Sequence, residues 1–218
     1  MTQEPRGHEE ARTVTVTGTG WAEAPPDLML VSVGVECRAE SVEEAYAAAG
    51  QGLAGVASVL RSRGVAPADI RSPGLTVRAD FAWQDGEGQK LVGYVAAGSL
   101  MVRLRDIGSA SAIISEAVRA GGDGVRLHNL QLVLSDDSAL RAQARDAAWH
   151  DALSAAEQYA ALASASLGRV LSVADQHPAA GPVPLTGMQR ASASEGLAVE
   201  PGANRVEAAV TATWALEP

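Results

Sequence analysis

The chain has 218 residues, a formal charge of −9 and a hydrophobic fraction of 47%, which is enough to bury roughly 70% of its unfolded surface without help from disulfides. Lys90 is its single lysine and its arginines are scattered, so there is no basic stripe to follow a phosphate backbone and no nucleic-acid partner is expected. One cysteine, Cys37, rules out an intramolecular bridge.

Residues 1–12 (MTQEPRGHEEAR) are polar and read as a flexible tail, without the apolar run of a secretory signal. No segment supplies the roughly 18 uninterrupted apolar residues of a membrane span. Read as it stands, the chain is expected to be soluble and cytoplasmic. From Thr13 to Thr19, valines alternate with threonines at the period of a half-buried strand, with Gly18 and Gly20 as punctuation. A second strand, 28–38, sets Met29, Val31, Val33, Val35 and Cys37 on one face, where the thiol packs as an inert apolar group.

Ser41 and Glu44 form a capping box before a helix whose stripe is Val42, Ala45, Tyr46, Ala49, Leu53, Val56 and Leu60, ending at Gly64. Strand 74–83 places Leu75, Val77, Ala79, Phe81 and Trp83 on one side, and Asp85-Gly86 has hairpin-turn chemistry. Its partner, 91–105, turns Val92, Tyr94, Ala96, Leu100, Val102 and Leu104 inward. Asp106 caps a second helix that ends at Gly121-Gly122 and has Ile107, Ala110, Ile113, Ile114, Ala117 and Val118 as its stripe. In strand 124–134 the apolar phase slips between Leu127 and Leu130, which predicts a bulge near His128 and Asn129. Ser135 or Asp136 caps an alanine-rich helix reaching about residue 166, and a strand follows over 169–174. Residues 175–203, rich in Pro, Gly, Ser and Ala, read as a long mobile loop. The closing strand aligns Val206, Ala208, Val210, Ala212, Trp214 and Leu216.

The order ββαββαβαββ predicts an α+β fold, a mainly antiparallel sheet with helices on one face, organised as a single domain over 13–217. Residues 28–134 alone spell βαββαβ, the arrangement of a ferredoxin-like core.

The chemical inventory is sparse. Gly18-Thr19-Gly20 lacks the third glycine and following helix of a phosphate loop, so it reads as a turn. His8, His128, His150 and His177 fall on a tail, a strand, a helix and a loop without a second ligand at metal spacing. Asp136 and Asp137 serve a helix start better than a metal. Arg103 with Arg105, and Arg61 with Arg63, read as solvated edges. Glu9-Glu10 and Glu43-Glu44 diverge as chain neighbours, and no Gly-x-Ser-x-Gly elbow occurs. Trp149 and Tyr159 read as core aromatics. No catalytic, cofactor-binding or metal-binding residue is assigned.

The opening VTVTGTGWAEAPPD, with its glycines and Pro26-Asp27 before a strand, resembles that of the SIMPL-domain family. So do GVAPADIRSPGLTV, LVGYVAAGSLMVRLRD, the stop at 120–122, LSDDSALRAQARDAAWHDALSAAEQYA, LGRVLSV and VEAAVTATWAL, spanning 13–217. The resemblance implies an α+β domain, frequent export, self-assembly in some members and a link to stress tolerance, with no catalytic residues to carry over. The expectation is therefore a non-enzymatic, homo-oligomerising binding or scaffold protein. Two alternatives stand beside it: a hydrolase or small-ligand enzyme whose site is built near the 175–203 loop, in which His128 or His177 meets a serine or acid, and an adaptor that binds peptides along a sheet edge.

Overall fold

A computed structural model describes residues 12–84, 88–176 and 202–218. The elements are β1 (Thr13–Ala24), β2 (Leu28–Ala39), α1 (Val42–Ser62), a 3-10 turn (Pro67–Asp69), β3 (Ile70–Gln84), β4 (Gly88–Leu104), α2 (Ile107–Gly121), β5 (Val125–Val133), α3 (Ser138–Leu162), β6 (Ser166–Gln176) and β7 (Asn204–Glu217). The α+β order is the one the sequence predicts. The strands form two antiparallel sheets, β3-β4-β2-β5 and β1-β7-β6, each in its own compact unit. The tail, the Asp85-Gly86 turn and most of the 175–203 excursion lie outside the described residues.

The unit formed by residues 26–135 has the ferredoxin-like pairing, with the first and third strands of its βαββαβ run in the centre. The alternation in β2 explains why both helices lie on one face: Met29, Val31, Val33 and Val35 are all buried and meet Val56 and Leu60 of α1 and Ile113 and Ile114 of α2. Each helix starts at the cap its sequence specifies. The Ser41 hydroxyl accepts from the Glu44 amide at 3.2 Å, and the Asp106 carboxylate accepts from the Ser109 amide.

The stripe of α1 departs from expectation. It runs through Ala45, Ala49, Gly52, Val56 and Leu60, and a Cβ at Gly52 would come within 2.8 Å of the Val35 side chain. Small residues draw the helix onto the sheet along that line, which rotates Val42 and Tyr46 to an exposed flank. Strand β3 starts at Ile70, earlier than predicted, because its pairing tolerates a register irregularity between Arg71 and Gly74. Pro73 sits inside that irregularity, where no ladder amide is needed.

The second unit comprises residues 12–25, 136–176 and 203–218. Strand β1 runs unbroken through Gly18 and Gly20, correcting their reading as a turn. Helix α3 lies directly over them and buries Leu140, Ala144, Ala148, Ala152, Ala156 and Ala160, a narrow alanine stripe of the kind its composition implies. On the opposite face of the sheet, Thr15 bonds Thr213 and Thr17 bonds Thr211 through their hydroxyls, at 2.9 and 2.8 Å. Trp149 joins the core beside Trp214, ring centroids 5.6 Å apart. Tyr159, expected in the core, is exposed.

The start of α3 also differs from the prediction. Asp137 occupies the cap position without a side-chain cap bond and instead pairs with Arg141 one turn on, at 2.7 Å. Asp136 accepts from the Ser138 amide at 2.8 Å. Ser135 caps nothing on α3, because its amide and hydroxyl are both committed to Asp27.

Candidate functional site

The residue types that could carry chemistry are dispersed. His128 lies exposed on β5, over Gly34; Ser32 lies opposite it in the register, and no hydrogen bond joins the two. His150 is exposed on α3, and His8 and His177 lie outside the described residues. No group of three or more His, Cys, Asp or Glu gathers among the described residues. Cys37 is half-buried and packs against the apolar core. The amide between Gly18 and Gly20, that of Thr19, donates to the Asp151 carboxylate at 2.8 Å. The strand pairs Arg12 with Leu216, so odd-numbered amides of β1 point away from β7, and Asp151 therefore protects a free sheet edge.

Two carboxylates tie together the end of the four-stranded sheet. Asp27, just before β2, accepts from the Ser135 amide and hydroxyl, each at 2.6 Å, and its own amide donates to the Val133 carbonyl at 3.2 Å. The Ser135 hydroxyl, then the Ser135 amide, hold the Asp27 carboxyl below its ordinary pKa. Asp69 accepts from Arg105 Nε at 2.9 Å and Nη2 at 3.0 Å, and those bonds likewise hold its carboxyl down. A carboxyl stabilised as its anion is a poor proton donor near neutrality. These groups fasten strand ends. Arg105, read as part of a solvated edge, is half of this pair, and Arg63 similarly clamps Glu116 through a two-bond fork.

The surface that stands out is the outer end of the β3–β4 hairpin. Strand β2 stops at Ala39, opposite Tyr94. Past that point residues 88–93 pair only with residues 80–84, forming a two-stranded arm. Gly93 marks its root: φ is +152°, and a Cβ there would lie 2.6 Å from the Ala39 carbonyl oxygen. The register slips between Asp80 and Phe81, leaving Val92 as the extra residue. Beyond the slip, Phe81 faces Leu91 and Trp83 faces Gln89. Trp83 is 74% exposed, Phe81 55% and Val92 54%, which corrects the expected inward placement of Val92. Their alternation continues that of Leu75, Val77 and Ala79, but the sheet and helix that should cover them have ended. Exposed Tyr46 and Val42 belong to the turn of α1 where neighbouring Ala45 packs with Val77 and Tyr94. In the structure the hairpin strands, of 15 and 17 residues, outrun the 12-residue β2 beside them.

The family model SIMPL, described as a protein of unknown function (DUF541), matches residues 14–214. This chain belongs to the SIMPL family. Among its relatives, the "26 kDa periplasmic immunogenic protein" of Brucella melitensis biotype 1 is 26% identical over 191 residues, covering 84% of this chain and 74% of the relative. The "Uncharacterized protein YggE" of Escherichia coli is 28% identical over 181 residues, 83% of this chain and 72% of that protein. The protein of the same name from Edwardsiella ictaluri is 27% identical over 202 residues, 93% and 80% of the two chains. Within this SIMPL chain, the Pro26-Asp27 pair that marks the opening motif has a structural role: Asp27 joins the start of β2 to the end of β5. None of the described helices is long and apolar enough to cross a membrane.

Proposed function

We propose that this SIMPL protein is a non-enzymatic, self-associating binding protein and that the β3–β4 arm is the element through which copies join. The observation that carries the reading is the arm itself. A two-stranded ribbon is marginal in water unless a further strand or apolar surface covers it. This one projects beyond its sheet with Phe81, Trp83, Leu91 and Val92 exposed together. A contiguous apolar surface of that kind is characteristic of a contact between proteins. A second copy brings the same aromatic ribbon and the same exposed Tyr46 flank, so one patch can meet itself across a two-fold axis.

Light scattering and native mass spectrometry of the full chain test the reading. Association that grows with concentration is expected, together with its loss in a Phe81→Ser/Trp83→Ser double variant whose circular dichroism is unchanged. A wild-type chain that stays monomeric over a wide concentration range sinks it. The edge strand β6, with exposed Val170, Leu171 and Val173, supports a second reading as a peptide-binding adaptor. That reading is favoured if association survives the arm substitutions and is lost on Leu171→Pro, which removes a strand amide. The periplasmic naming of the Brucella relatives supports an extracytoplasmic setting, and fractionation of native cells into envelope and cytoplasm tests it.

A further inference from the structure

A cavity of about 330 Å³ lies in the ferredoxin-like unit between α2 and the sheet, lined by Met29, Ser111, Ile114, Ser115, Val118 and two leucines of β5. The leucines are Leu127 and Leu130, and an odd and an even position share this wall because β5 carries a bulge. Leu30 pairs with Gln131 and Ser32 with His128, so Asn129 and Leu130 together stand opposite Val31. Asn129 takes a left-handed φ of +42° to do this. Asparagine is one of the few non-glycine residues that visit this region readily. Here it turns two leucines toward α2.

The lining specifies the chemistry of an occupant. It contains no ionisable side chain. Of its two hydroxyls, that of Ser115 is spent on the Ser111 carbonyl at 2.9 Å. The Ser111 hydroxyl is the lining's one further polar side-chain group, and Met29 beside it is a side chain that adapts to varied apolar ligands. The volume is at the small end of ligand cavities, about 300–1,000 Å³, which suits one medium-length chain and not a two-chain lipid. On the exposed side of α2, Arg119 Nε donates to the backbone carbonyl of Ser115 at 3.3 Å, which brings a guanidinium beside a lining residue. The carboxylate one turn back, Glu116, is hydrogen-bonded by Arg63 and also attracts Arg119 across the helix turn. The Arg119 terminal nitrogens donate to no described residue and can serve an anion.

We propose that this cavity binds a free medium-chain aliphatic acid, with its chain between α2 and β5 and its carboxylate at Arg119. The proposal is independent of self-association. Titration calorimetry of the full chain with octanoate and with octan-1-ol tests it, alongside Ser115→Trp, which fills the mouth from an exposed position. Ser111→Leu serves if Ser115→Trp does not fold. Octanoate is expected to bind once per chain, and to be lost in the filled variant but not in Trp83→Ser. Arg119→Gln should weaken octanoate about tenfold, the size of a lost charge-assisted hydrogen bond, and leave octan-1-ol unchanged. No binding to folded wild-type chain, binding indifferent to the filled mouth, or equal response of acid and alcohol to Arg119→Gln would each overturn the assignment.

Discussion

Gly20 sits beneath Ala148 so closely that a Cβ on the strand residue would lie 2.2 Å from the helix residue's amide nitrogen. Backbone meets backbone there, and neither can turn aside as a side chain does. Gly20→Ala therefore has to lift α3 off β1. Overpacking of this kind costs about 3 kcal/mol, or a fall in Tm of roughly 6–12 °C for a chain of this size. Thermal unfolding of Gly20→Ala beside Gly50→Ala, where an added Cβ meets nothing within 4 Å, checks it. Equal Tm values for the two would show that the contact is not what holds the helix down.

The Asp27 carboxyl predicts an acid-sensitive part of the stability. Its bonds from Ser135 lower its folded-state pKa, so on acidification the unfolded chain takes up the proton first. The stabilisation is complete above the unfolded value, about 3.9, and is lost as pH falls through the lower folded value. Asp27→Asn should be less stable than wild type at pH 7, and the gap should close as both are titrated below the carboxylate range. Urea unfolding at several pH values measures this. A gap that stays constant down to strong acid would assign the difference to shape and not to charge.

The alternations in β2 and β7, both helix caps of the ferredoxin-like unit, the α+β order and the bulge in β5 were legible in the sequence because each depends on neighbours within a few positions. Gly18 and Gly20 were not, since the reason for them is α3, more than a hundred residues away. Ser135 was misread for the same cause: its hydroxyl suits a helix cap locally, but Asp27 claims it from a distance. Phe81 and Trp83 alternate as core residues should. What period alone cannot reveal is that β2 ends at Ala39 and leaves them uncovered.

Exposure of Trp83 gives an optical test of the arm. Trp214 is 2% exposed and Trp83 74%, so an aqueous quencher reaches the second and not the first. If copies meet through the arm, acrylamide quenching of the wild-type chain should weaken as protein concentration rises. In Trp83→Phe that concentration dependence should disappear. Quenching of wild type that is the same at every concentration, while light scattering reports growing mass, would move the contact elsewhere on the chain.

Asn129 decides whether the β5 bulge is built into the fold or merely tolerated. Its φ of +42° is open to glycine and readily visited by asparagine, whereas a β-branched side chain there pays roughly 1–2 kcal/mol. Asn129→Gly should leave stability within a few tenths of a kcal/mol of wild type, and Asn129→Val should lower it by about 1–2 kcal/mol. Deleting Asn129 removes the extra residue and makes Leu127 and Leu130 next-but-one neighbours, which a regular strand keeps on one face because its side chains alternate with period two. The deletion should therefore leave both leucines beside Met29, and octanoate binding is expected to survive it, as in Asn129→Gly. Denaturant unfolding of the three variants, read with calorimetry on those that fold, separates the cost of the left-handed residue from its part in the wall: loss of octanoate binding in a folded deletion variant would show that the bulge itself shapes the cavity.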